Sequence, residues 1–409
     1  MHILFLSDNF PPESNAPANR TFEHARHWVR AGHQVTVITC APNFPFGRVF
    51  CGYRNRLSQT EEMSGITIIR VWSFMAKNEG FFLRFLDFMS FMISGFLRGL
   101  RVKDLDVVVG TSPQFFTVCA AYLLARAKRR PFVFEMRDIW PESLHAVGLN
   151  NAGLYVRLIS PLADYLYQKA DHIVVVTHSF KTYLTNRNIT ASRITVIPNG
   201  ADTKMFRPVS ADESLQTQLQ LAGKFVVGYI GTHGLAHCLE TLVEAARLAS
   251  TSDDLQSVQF LSVGTGAQFE VIKKQAAGLN NFTMTGQVKR ADISRYWSVL
   301  DAGIIHLKDA PLFEHVIPSK IFEAMAMGIP LLHGVRGESA EIVHSTGIGV
   351  FFEPEKPEAL LSAIRQMMLD RTAYVEMKTS CISAAQTYNR AVLAYRMADC
   401  LQGIKKRHE

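Results

Sequence analysis

Short, strongly apolar runs alternate with helix-like stretches along this chain, and that alternation limits the possible folds more than any other feature. In the first half the runs are rich in β-branched residues, are bounded by turn or polar residues, and cover 2–7, 34–40, 66–72, 105–112, 131–136, 172–178 and 194–200. Such runs are typical of strands buried on both faces. Helical patterns lie between them, for example over 18–32 and 115–129. The alternation predicts a parallel sheet with helices on both faces.

The same pattern restarts after a polar stretch at 207–224. The later strand-like runs cover 225–232, 258–266, 282–288, 302–307, 330–335 and 349–354. A chain of 409 residues is too long for one ordinary core, and 48% hydrophobic residues are ample for two. We therefore predict an α/β chain with two doubly wound Rossmann-like domains and a boundary between 203 and 222. Ligands bind such sheets at the carboxyl ends of the strands, so two domains in tandem would face each other across a cleft.

The expected limits of the two domains follow from this boundary. The N-terminal domain covers 1–205 and is completed by a C-terminal helix at 386–409, and the C-terminal domain covers 206–385. Positive charge is concentrated in the first half, because residues 1–205 contain 23 Lys and Arg against 15 Asp and Glu, whereas the remainder contains 20 against 21. This asymmetry favours an anionic surface or partner for the N-terminal domain.

One segment departs from the α/β pattern. Residues 80–103, GFFLRFLDFMSFMISGFLRGLRVK, are rich in phenylalanine and are interrupted by charged side chains. A transmembrane helix needs about 20 mostly apolar residues, whereas the charge-free run here covers only 88–97. We favour an amphipathic helix on a membrane surface, with the phenylalanines in the interface and with headgroups bound by Arg84, Arg98, Arg101 and Lys103. A buried core helix is the alternative.

The cysteines and the acidic residues give no clear metal motif. The six cysteines have no paired spacing, and most lie in apolar runs, which is typical of reduced core residues in a cytosolic protein. Asp104 and Asp106 in DLD imitate an Asp-x-Asp metal site, but they stand directly before a strand, where solvation of the strand entry is the favoured explanation. We expect activity without a metal, because backbone amides, helix dipoles and a lysine are able to hold a diphosphate.

Polar side chains crowd the start of a predicted helix in PLFEHVIPSKIFEAMAMGIP, residues 311–330. Pro318 favours a break before the helix, and Ser319 is a suitable N-cap. Lys320 then lies in the first turn, where the helix dipole prefers anions. A cation in that place indicates a bound anion such as a diphosphate, held by the ammonium and by helix N–H groups. Glu323, about one turn deeper, is able to accept hydrogen bonds from the two hydroxyls of a ribose.

A capping box is the structural alternative for this cluster. In that motif the third helical residue after Ser319 would have to be Glu or Gln, and it is Phe322, so the register does not fit. Two other turns, GYIGTHG and SVGTG, end predicted strands in glycine and small polar residues. Such turns let backbone N–H groups approach a phosphate, although glycine at a strand end is often plain turn chemistry.

Together these motifs resemble a GT-B glycosyltransferase of the large retaining family 4 over nearly the whole chain. MHILFLSDNFPPES resembles the family's first strand and loop, and RAGHQVTVIT resembles its second helix–strand unit. ADHIVVVTHSFKTYL and ITVIPNGADTKMF resemble the strand and hinge that close the first domain, and FEHVIPSKIFEAMAMGIP resembles the donor-binding E-x7-E stretch. The forms PPES, APNFPFG, FEMRDIWPES, GTHGLAH and PSKIFEAMAMG resemble bacterial O-antigen and capsule transferases, including fucosamine transferases.

The resemblance implies that the C-terminal domain binds a nucleotide-sugar. Where the family often has Arg and Lys facing the diphosphate, this chain has Thr232 and His237, so Lys320 is expected to supply the missing charge. The expected nucleotide-sugar-binding residues are Gly231, Thr232, His233, His237, Gly264, Gln287, Val288, Ser319, Lys320, Ile321 and Glu323. Taken alone, His233 and His237 could equally be surface residues.

The expected catalytic residues are Arg137, Asp138, Glu314 and His315, and here the chain departs from the family pattern. The first glutamate of E-x7-E falls on His315, with Glu314 one residue earlier, and either is able to reach the sugar hydroxyls. Arg137 or Asp138 takes the place of the family's usual histidine near the donor sugar. Asp138 has the alternative role of capping the helix that follows it. The first loop, PPESNAPANR, is poor in glycine.

The resemblance also implies a reaction and its partners. The reaction is transfer with retention, by front-face displacement, from a UDP-linked sugar such as an N-acetylated fucosamine to a lipid-linked saccharide in O-antigen or capsule synthesis. The expected partners are the nucleotide-sugar donor, the lipid-linked acceptor and an anionic membrane surface bound through 80–103. No nucleic acid and no cofactor are expected. The expected location is cytoplasmic, peripheral on the inner face of the bacterial inner membrane.

Two rival functions fit the same two-domain fold. A nucleotide-sugar 2-epimerase would need acids and bases around the sugar and no acceptor surface, and the Phe-rich basic segment argues against it. A non-catalytic sugar-nucleotide-binding protein would explain the altered family positions. The fold alone does not distinguish these functions from glycosyl transfer.

Overall fold

The chain forms two compact units, each built on its own sheet. The computed structural model describes residues 1–13, 15–44, 47–75, 81–139 and 152–408. The first unit comprises Met1–Pro198 and Arg390–Glu409, and the second comprises Asn199–Asn389. Both sheets consist mainly of parallel strands with helices between them. The predicted α/β class with two Rossmann-like domains is therefore confirmed.

The first unit contains an eight-stranded sheet. In spatial order its strands run β3-β4-β2-β1-β5-β6-β7-β8. Their bounds are β1 (His2–Leu6), β2 (Gln34–Cys40), β3 (Ser58–Met63), β4 (Ile66–Val71), β5 (Val107–Thr111), β6 (Phe132–Met136), β7 (His172–Val175) and β8 (Ile194–Val196). All neighbours are parallel except β3 and β4, which are antiparallel. The helices between them are α1 (Ala16–Arg30), α2 (Phe81–Gly99), α3 (Phe115–Lys128), α4 (Ala152–Lys169) and α5 (His178–Thr185).

The second unit contains a six-stranded, all-parallel sheet of order β11-β10-β9-β12-β13-β14. The strands are β9 (Phe225–Ile230), β10 (Val258–Val263), β11 (Phe282–Gly286), β12 (Ala302–His306), β13 (Leu331–Gly334) and β14 (Gly349–Phe351). The helices are α6 (Glu213–Gln218), α7 (Glu240–Ser250), α8 (Phe269–Gln275), α9 (Ile293–Ser298), α10 (Lys320–Met327), α11 (Glu338–Thr346), α12 (Pro357–Leu369) and α13 (Arg371–Thr387).

The last helix, α14 (Arg390–His408), packs in the first unit against α1. The helix α1 begins where the Asn15 side chain accepts a hydrogen bond from Ala18 N–H, and it buries Trp28 completely. The Trp28 Nε1–H group donates to the Ala394 carbonyl oxygen at 2.8 Å. The buried face of α14 joins the same core as β1 and α1, and it consists of Leu393, Ala394, Met397, Ala398, Leu401 and Ile404.

The sequence pattern did not predict the edge strand β3. Its residues, SQTEEM, are polar and alternate between exposed and half-buried positions. It forms a hairpin with β4 through Ser64 and Gly65, which both have positive φ angles. Pairing with β4, rather than hydrophobic burial, makes this segment a strand, so a search for apolar runs passes over it. The polar stretch 207–224 contains α6 and lies within the second unit, where Leu215 and Leu221 enter the core.

The predicted placement of the phenylalanines is wrong for the four of α2 whose side chains the structure describes. Phe91 is 1% exposed, and Phe85, Phe88 and Phe96 pack against the core of the first unit. The exposed face instead carries aliphatic side chains, namely Leu83, Leu86, Ile93 and Leu97. The helix is therefore both a core helix and an amphipathic surface helix. Residue 80 and the side chains of 81 and 82 lie outside the described part. In that part of the chain, no helix has the length and apolar character of a membrane span.

The aspartates of DLD have structural roles in the first unit. Asp106 accepts a hydrogen bond from His2 N–H at 2.7 Å and pairs with Lys405 at 3.0 Å. Burial opposes ionisation, but this hydrogen bond and the lysine hold the pKa of Asp106 below its ordinary value. Asp104 has a positive φ of 54°, in the turn before β5. Asp106 therefore joins the first strand to the last helix.

Candidate active site

Loops that follow the carboxyl ends of β9, β10, β11 and β12 carry the expected donor-binding residues. Parallel neighbours end at the same edge of a sheet, so these loops lie at one edge of the second unit. Gly231, Thr232 and His233 follow β9, and Gly264 follows β10. Gln287 and Val288 follow β11, and the segment from Pro311 to α10 follows β12. The structure thus brings the predicted residues of this unit to one edge.

Gly231 and Gly264 form a close backbone contact at this edge. Gly264 has a φ of 135°, and a Cβ atom there would overlap the Gly231 carbonyl oxygen. Its N–H group donates to the Gly286 carbonyl oxygen at 2.9 Å. A side chain at 264 would force the three strand ends apart. Glycine is therefore needed at 264 for packing, whatever the loop binds.

His233 is fully buried, so its alternative interpretation as a surface residue is wrong. The Nε2 atom forms a hydrogen bond with Ser262 Oγ at 2.7 Å, and the backbone N–H donates to the Thr265 carbonyl oxygen at 3.0 Å. Burial lowers the pKa of His233 to about 4, so the imidazole is neutral at pH 7. His233 therefore ties the loop after β9 to β10 and brings no positive charge to a diphosphate.

His237 belongs to a hydrogen-bonded chain that the sequence did not predict. The His306 Nδ1 atom is 2.9 Å from the His237 carbonyl oxygen, and the His306 Nε2 atom accepts from Glu355 N–H at 2.9 Å. His306 must therefore carry its proton on Nδ1. The Glu355 carboxylate accepts a hydrogen bond from Asp309 N–H at 2.7 Å. These hydrogen bonds hold three loops of this edge together. Burial lowers the pKa of both His237 and His306.

The helix α10 starts at this edge without the predicted side-chain cap. Ser319 occupies the N-cap position, but its backbone is already helical at φ −60° and ψ −21°, and its side chain makes no capping hydrogen bond. The first N–H groups bond instead to Pro318 and Ser319 carbonyl oxygens, in the tight i→i+3 pattern. The role of Ser319 as a side-chain cap is therefore wrong, because a cap needs an extended backbone. Ile321 is completely buried, and Val288 packs against the same core cluster.

Lys320 and Glu323 form an ion pair on the first turn of α10. The Nζ atom donates to Glu323 Oε2 at 2.8 Å, as residues three apart on a helix are able to do. The same oxygen accepts the Trp297 Nε1–H group of α9 at 3.2 Å. Glu323 is 8% exposed, and its Oε1 atom accepts no hydrogen bond from the described residues. One oxygen is thus fixed by the protein, and the other keeps its full capacity to accept.

Glu314 and His315 end a short 3₁₀ helix, Pro311–His315, and both side chains are exposed. The main chain of Glu314 is packed against the start of α11. Gly337 has a φ of 77°, and a Cβ atom there would overlap the Glu314 carbonyl oxygen. The backbone at Glu314 is therefore fixed, while its carboxylate and the His315 imidazole reach solvent.

Arg137 and Asp138 follow the carboxyl end of β6, in the first unit. Their backbone N–H groups both donate to Ser112 Oγ, at 2.8 Å and 3.3 Å. Burial raises the pKa of Asp138 to about 6 against the attraction of Arg137. The sequence that follows, from residue 140 to 151, lies outside the described residues, and so does the helix that Asp138 was expected to cap.

The Arg137 guanidinium is the most unusual group of the first unit. Its Nε and Nη1 atoms are buried and have no hydrogen-bond partner among the described residues. Burial lowers the pKa of Arg137 to about 10, opposed by the nearby Glu135 carboxylate. Glu135 itself is occupied by Arg20, whose Nε atom donates to it at 2.9 Å. Arg137 therefore brings unsatisfied N–H donors and a positive charge to this strand end.

Trp297, His306 and Glu13 are functional candidates that the sequence analysis missed. Trp297 lies in a short amphipathic helix, where an aromatic residue looks like core, and His306 ends an apolar strand. Glu13 lies in the PPES loop and is 3% exposed. A carboxylate directly after two prolines, in a loop next to the first strand, is the one sequence signal that could have indicated it.

Comparisons with known proteins show the family of this chain. The family profile described as "Glycosyl transferase 4-like domain" matches residues 15–200, and the one described as "Glycosyl transferases group 1" matches residues 224–370. The chain is 26% identical to WcaI of Escherichia coli strain K12, named for glycosyl transfer in colanic acid biosynthesis, over 90% of this chain and 92% of that protein. It is 25% identical to a GDP-mannose-dependent alpha-mannosyltransferase of Mycolicibacterium smegmatis, over 91% and 90%.

A solved structure gives the same fold. The Anabaena protein HepE, crystallised with UDP-glucose, superposes with a TM-score of 0.69 at 19% sequence identity, covering 98% of this chain and 100% of that one. At this identity the likeness concerns the fold alone.

Proposed function

Because this chain belongs to the GT-B glycosyltransferases of family 4, and resembles those that build bacterial polysaccharides, we propose that it moves a sugar from a UDP-linked donor to a lipid-linked saccharide with retention. The donor binds at the carboxyl edge of the second unit. The acceptor binds to the first unit, which also docks on an anionic membrane. The donor sugar is an N-acetylated amino sugar such as fucosamine, which rests on the resemblance of the sequence motifs alone.

The environment of the Glu323 carboxylate is the main observation that supports the proposed donor site. Its side chain is almost fully buried, Trp297 and Lys320 hold Oε2, and Oε1 accepts nothing from the described residues. Oε1 is not one of the fully buried atoms without a partner, so solvent, and equally a ligand hydroxyl, is able to reach it. The two hydroxyls of a ribose would donate hydrogen bonds to it. Trp297 fixes the carboxylate orientation in advance, which lowers the entropy cost of binding the sugar.

The diphosphate would lie against Lys320 and the loop after β9. The Lys320 side chain is one third exposed, and an ammonium has three N–H donors, of which Glu323 takes one. The Gly231 N–H group already donates to the Val263 carbonyl oxygen at 2.9 Å, so the backbone N–H group of Thr232 and the start of α10 add the positive potential at this edge. Neutral His233 and His237 complete the loop, so Lys320 is the cation proposed to face the phosphates.

Similar proteins differ in the nucleotide that they bind or depend on. HepE was crystallised with UDP-glucose, whereas the mycobacterial relative depends on GDP-mannose. The motifs that resemble O-antigen and capsule transferases favour UDP. Stabilisation of the folded protein by free UDP, GDP and dTDP separates these bases directly, since a ligand bound only by the folded state raises the midpoint of thermal unfolding.

The proposed reaction is a front-face displacement. The acceptor hydroxyl oxygen forms a bond to the anomeric carbon on the face from which the diphosphate leaves, and the leaving phosphate oxygen takes the hydroxyl proton. The protein contributes positioning and stabilisation of leaving-group charge. Arg137 has the free buried donors needed for such charge. Asp138, Glu314 and His315 are the other groups proposed to contact the reacting sugars.

The exposed face of α2 supports the membrane part of the proposal. Leu83, Leu86, Ile93 and Leu97 are each between 37% and 57% exposed and repeat at helical spacing, so they form one apolar stripe. Arg101 and Lys103 are exposed at the end of the same segment. An apolar stripe with basic residues beside it is typical of helices that lie in an anionic bilayer surface.

One turnover experiment separates this function from its rivals. The protein is incubated with UDP-glucose, UDP-N-acetylglucosamine, UDP-N-acetylfucosamine and GDP-mannose, with and without polyprenyl-diphosphate-linked saccharides, and products are identified by mass spectrometry. Transfer only in the presence of the lipid acceptor supports the proposal. Conversion of the donor sugar without an acceptor would indicate an epimerase, and donor binding without any turnover would indicate a binding protein.

A further inference from the structure

A small acidic cavity lies at the carboxyl ends of β1 and β2, in the first unit. Its volume is about 70 Å³. Its polar lining includes Asp8, Glu13 and Asp87, and its apolar wall includes Cys40, Phe88 and Phe91. A cavity needs about 10–15 Å³ to hold one water molecule. This one is therefore large enough for several hydroxyl-sized groups of a ligand, but too small for an entire disaccharide.

Glu13 is the reason to regard this cavity as a binding site. The side chain is 3% exposed, and its Oε1 atom accepts the backbone N–H groups of Asn43 and Phe44 at 2.7 Å and 2.8 Å. Its Oε2 atom is also buried and accepts no hydrogen bond from the described residues. A buried carboxylate oxygen that accepts no hydrogen bond is costly, and the cost is larger for a charged group than for a neutral one. The protein thus holds one oxygen rigidly and leaves the other available to a ligand in this cavity.

The charges around the cavity limit what that ligand is. Three of the lining residues are acidic, and none of the described lining residues is basic. The nearby Arg70 guanidinium is occupied by Glu61 and by the Cys40 and Pro11 carbonyl oxygens. Burial raises the pKa of Glu13 to about 7 and also raises the pKa of Asp8. An anionic ligand group would be repelled, whereas an uncharged hydrogen-bond donor would satisfy Glu13.

The geometry points to a subsite for an uncharged sugar, whose hydroxyls donate to Glu13 Oε2 and Asp8 while its C–H face packs on Phe88 and Phe91. The subsite rests on the proposed function, and it deepens that function by predicting selection against acidic sugars. The sugar is either the acceptor residue or the sugar part of the donor, because both offer the same hydroxyls. The two sources differ in whether binding depends on the nucleotide.

The test is binding, measured without turnover. Saturation-transfer NMR at pH 8 with UDP present gives the affinity of methyl glucoside, and calorimetry compares UDP-glucose with UDP. In Glu13→Gln the amide oxygen still accepts from Asn43 and Phe44, but an NH₂ group replaces Oε2. We expect at least a tenfold loss for methyl glucoside if the acceptor binds here, or for UDP-glucose but not UDP if the donor sugar does. Asp8→Asn should act in the same direction, and Glu62→Gln, on the exposed edge strand, is the matched control.

Three results would overturn the subsite. The first is unchanged affinity of Glu13→Gln for both sugars. The second is equal binding of methyl glucuronide and methyl glucoside by the wild-type protein. The third is much tighter binding of methyl 6-amino-6-deoxyglucoside, which would make the cavity an ammonium site. A failure of the proposed function looks different, because sugar binding through Glu13 would persist while no donor and acceptor pair gives transfer.

Discussion

At the scale of single residues, two carboxylates of this protein have one oxygen held by the protein and the other without a hydrogen-bond partner among the described residues. Glu323 and Glu13 lie in different units, and each is more than nine-tenths buried with one oxygen held by protein N–H groups. The sequence placed Lys320 and Glu323 on one turn, because helical spacing alone determines that. The sequence did not predict the hydrogen bond from Trp297 to Glu323 or the unpaired oxygen of Glu13. Both depend on contacts between segments far apart in the chain.

Replacement of Glu323 should weaken donor binding. Glu323→Ala removes the proposed acceptor for the ribose hydroxyls, and we expect the donor dissociation constant to rise at least tenfold, about 1.4 kcal/mol. Titration calorimetry with the nucleoside diphosphate measures this, and thermal unfolding checks that the variant is folded. Glu341→Ala, at an exposed position of α11, is the control. Unchanged donor affinity in a folded variant would refute the assignment.

Lys320 tests the diphosphate contact separately. Lys320→Ala should weaken nucleoside diphosphate binding much more than nucleoside binding, because only the former carries the phosphates. Lys273→Ala, on the exposed face of α8, should change neither. Equal losses for both ligands would mean that Lys320 acts only by orienting Glu323. An arginine at 320 is not expected to restore binding fully, since its planar fork differs from a compact ammonium.

The raised pKa of Glu13 makes a prediction about stability. The folded state binds this proton more tightly than the unfolded state, with a pKa of about 7 against an ordinary 4.5. The contribution of Glu13 to stability is therefore highest below pH 4.5 and falls as the pH rises to 7, by up to about 3 kcal/mol. Glu13→Gln should consequently stabilise the protein more at pH 8 than at pH 5.

Urea unfolding of the wild type, Glu13→Gln and the control Glu62→Gln at both pH values measures this difference. Because the comparison is between variants, the titration of other groups cancels. A gain of equal size at both pH values would mean that the Glu13 carboxyl titrates normally in the folded protein.

At the scale of elements, strands could be predicted well and the orientation of α2 could not. The run 34–40 is β2 to the residue, since buried parallel strands are continuous apolar runs. The strand β3 was missed because hydrogen bonding to β4 creates it. For α2, composition indicated an apolar helix, but which side faces the core is decided by packing on α3. The larger Phe side chains fill that core, and the aliphatic residues are left outside.

Binding of α2 to a membrane should depend on its basic residues and on its exposed apolar stripe in different ways. Replacing Arg98, Arg101 and Lys103 by Glu should release the protein from anionic vesicles, since each basic residue near the surface contributes about 1 kcal/mol. Wild-type binding should weaken with salt. The double change Ile93→Ser and Leu97→Ser should weaken the salt-resistant part of binding.

Vesicle co-sedimentation with anionic and neutral lipids measures both effects. The control replaces Lys224, Lys273 and Lys274 of the second unit by Glu. It changes the net charge by the same amount as the α2 triple variant and should leave vesicle binding intact. If the wild type ignores anionic vesicles, or the basic-to-acidic triple variant binds them as well as the wild type, α2 is a core helix with no membrane role.

At the scale of the whole molecule, the proposed donor and acceptor sites are assigned to two different sheets, each built mainly of parallel strands. Strand–helix alternation in the sequence predicted both sheets, because burial on both faces leaves a strong hydrophobic signal. The acidic cavity and the hydrogen bonds around His306 left no such signal, since each is assembled from segments that lie far apart in the chain.

Activity is expected to persist in EDTA. Lys320, backbone N–H groups and the start of α10 are proposed to hold the diphosphate and to stabilise its charge as it leaves. The measurement is the initial rate of transfer with EDTA and with added magnesium or manganese. Complete loss in EDTA that either metal restores would contradict the expectation.

The return of α14 to the first unit affects how the chain matures on the ribosome. Trp28 and the apolar residues of β1 and α1 share a core with Leu393, Met397 and Leu401, which are synthesised long after residue 198. At about 5–20 residues per second, the intervening 191 residues (199–389) take roughly 10–40 s to translate. During that interval the core formed by β1 and α1 lacks α14, so the apolar side chains that this helix covers stay in contact with solvent until it is synthesised.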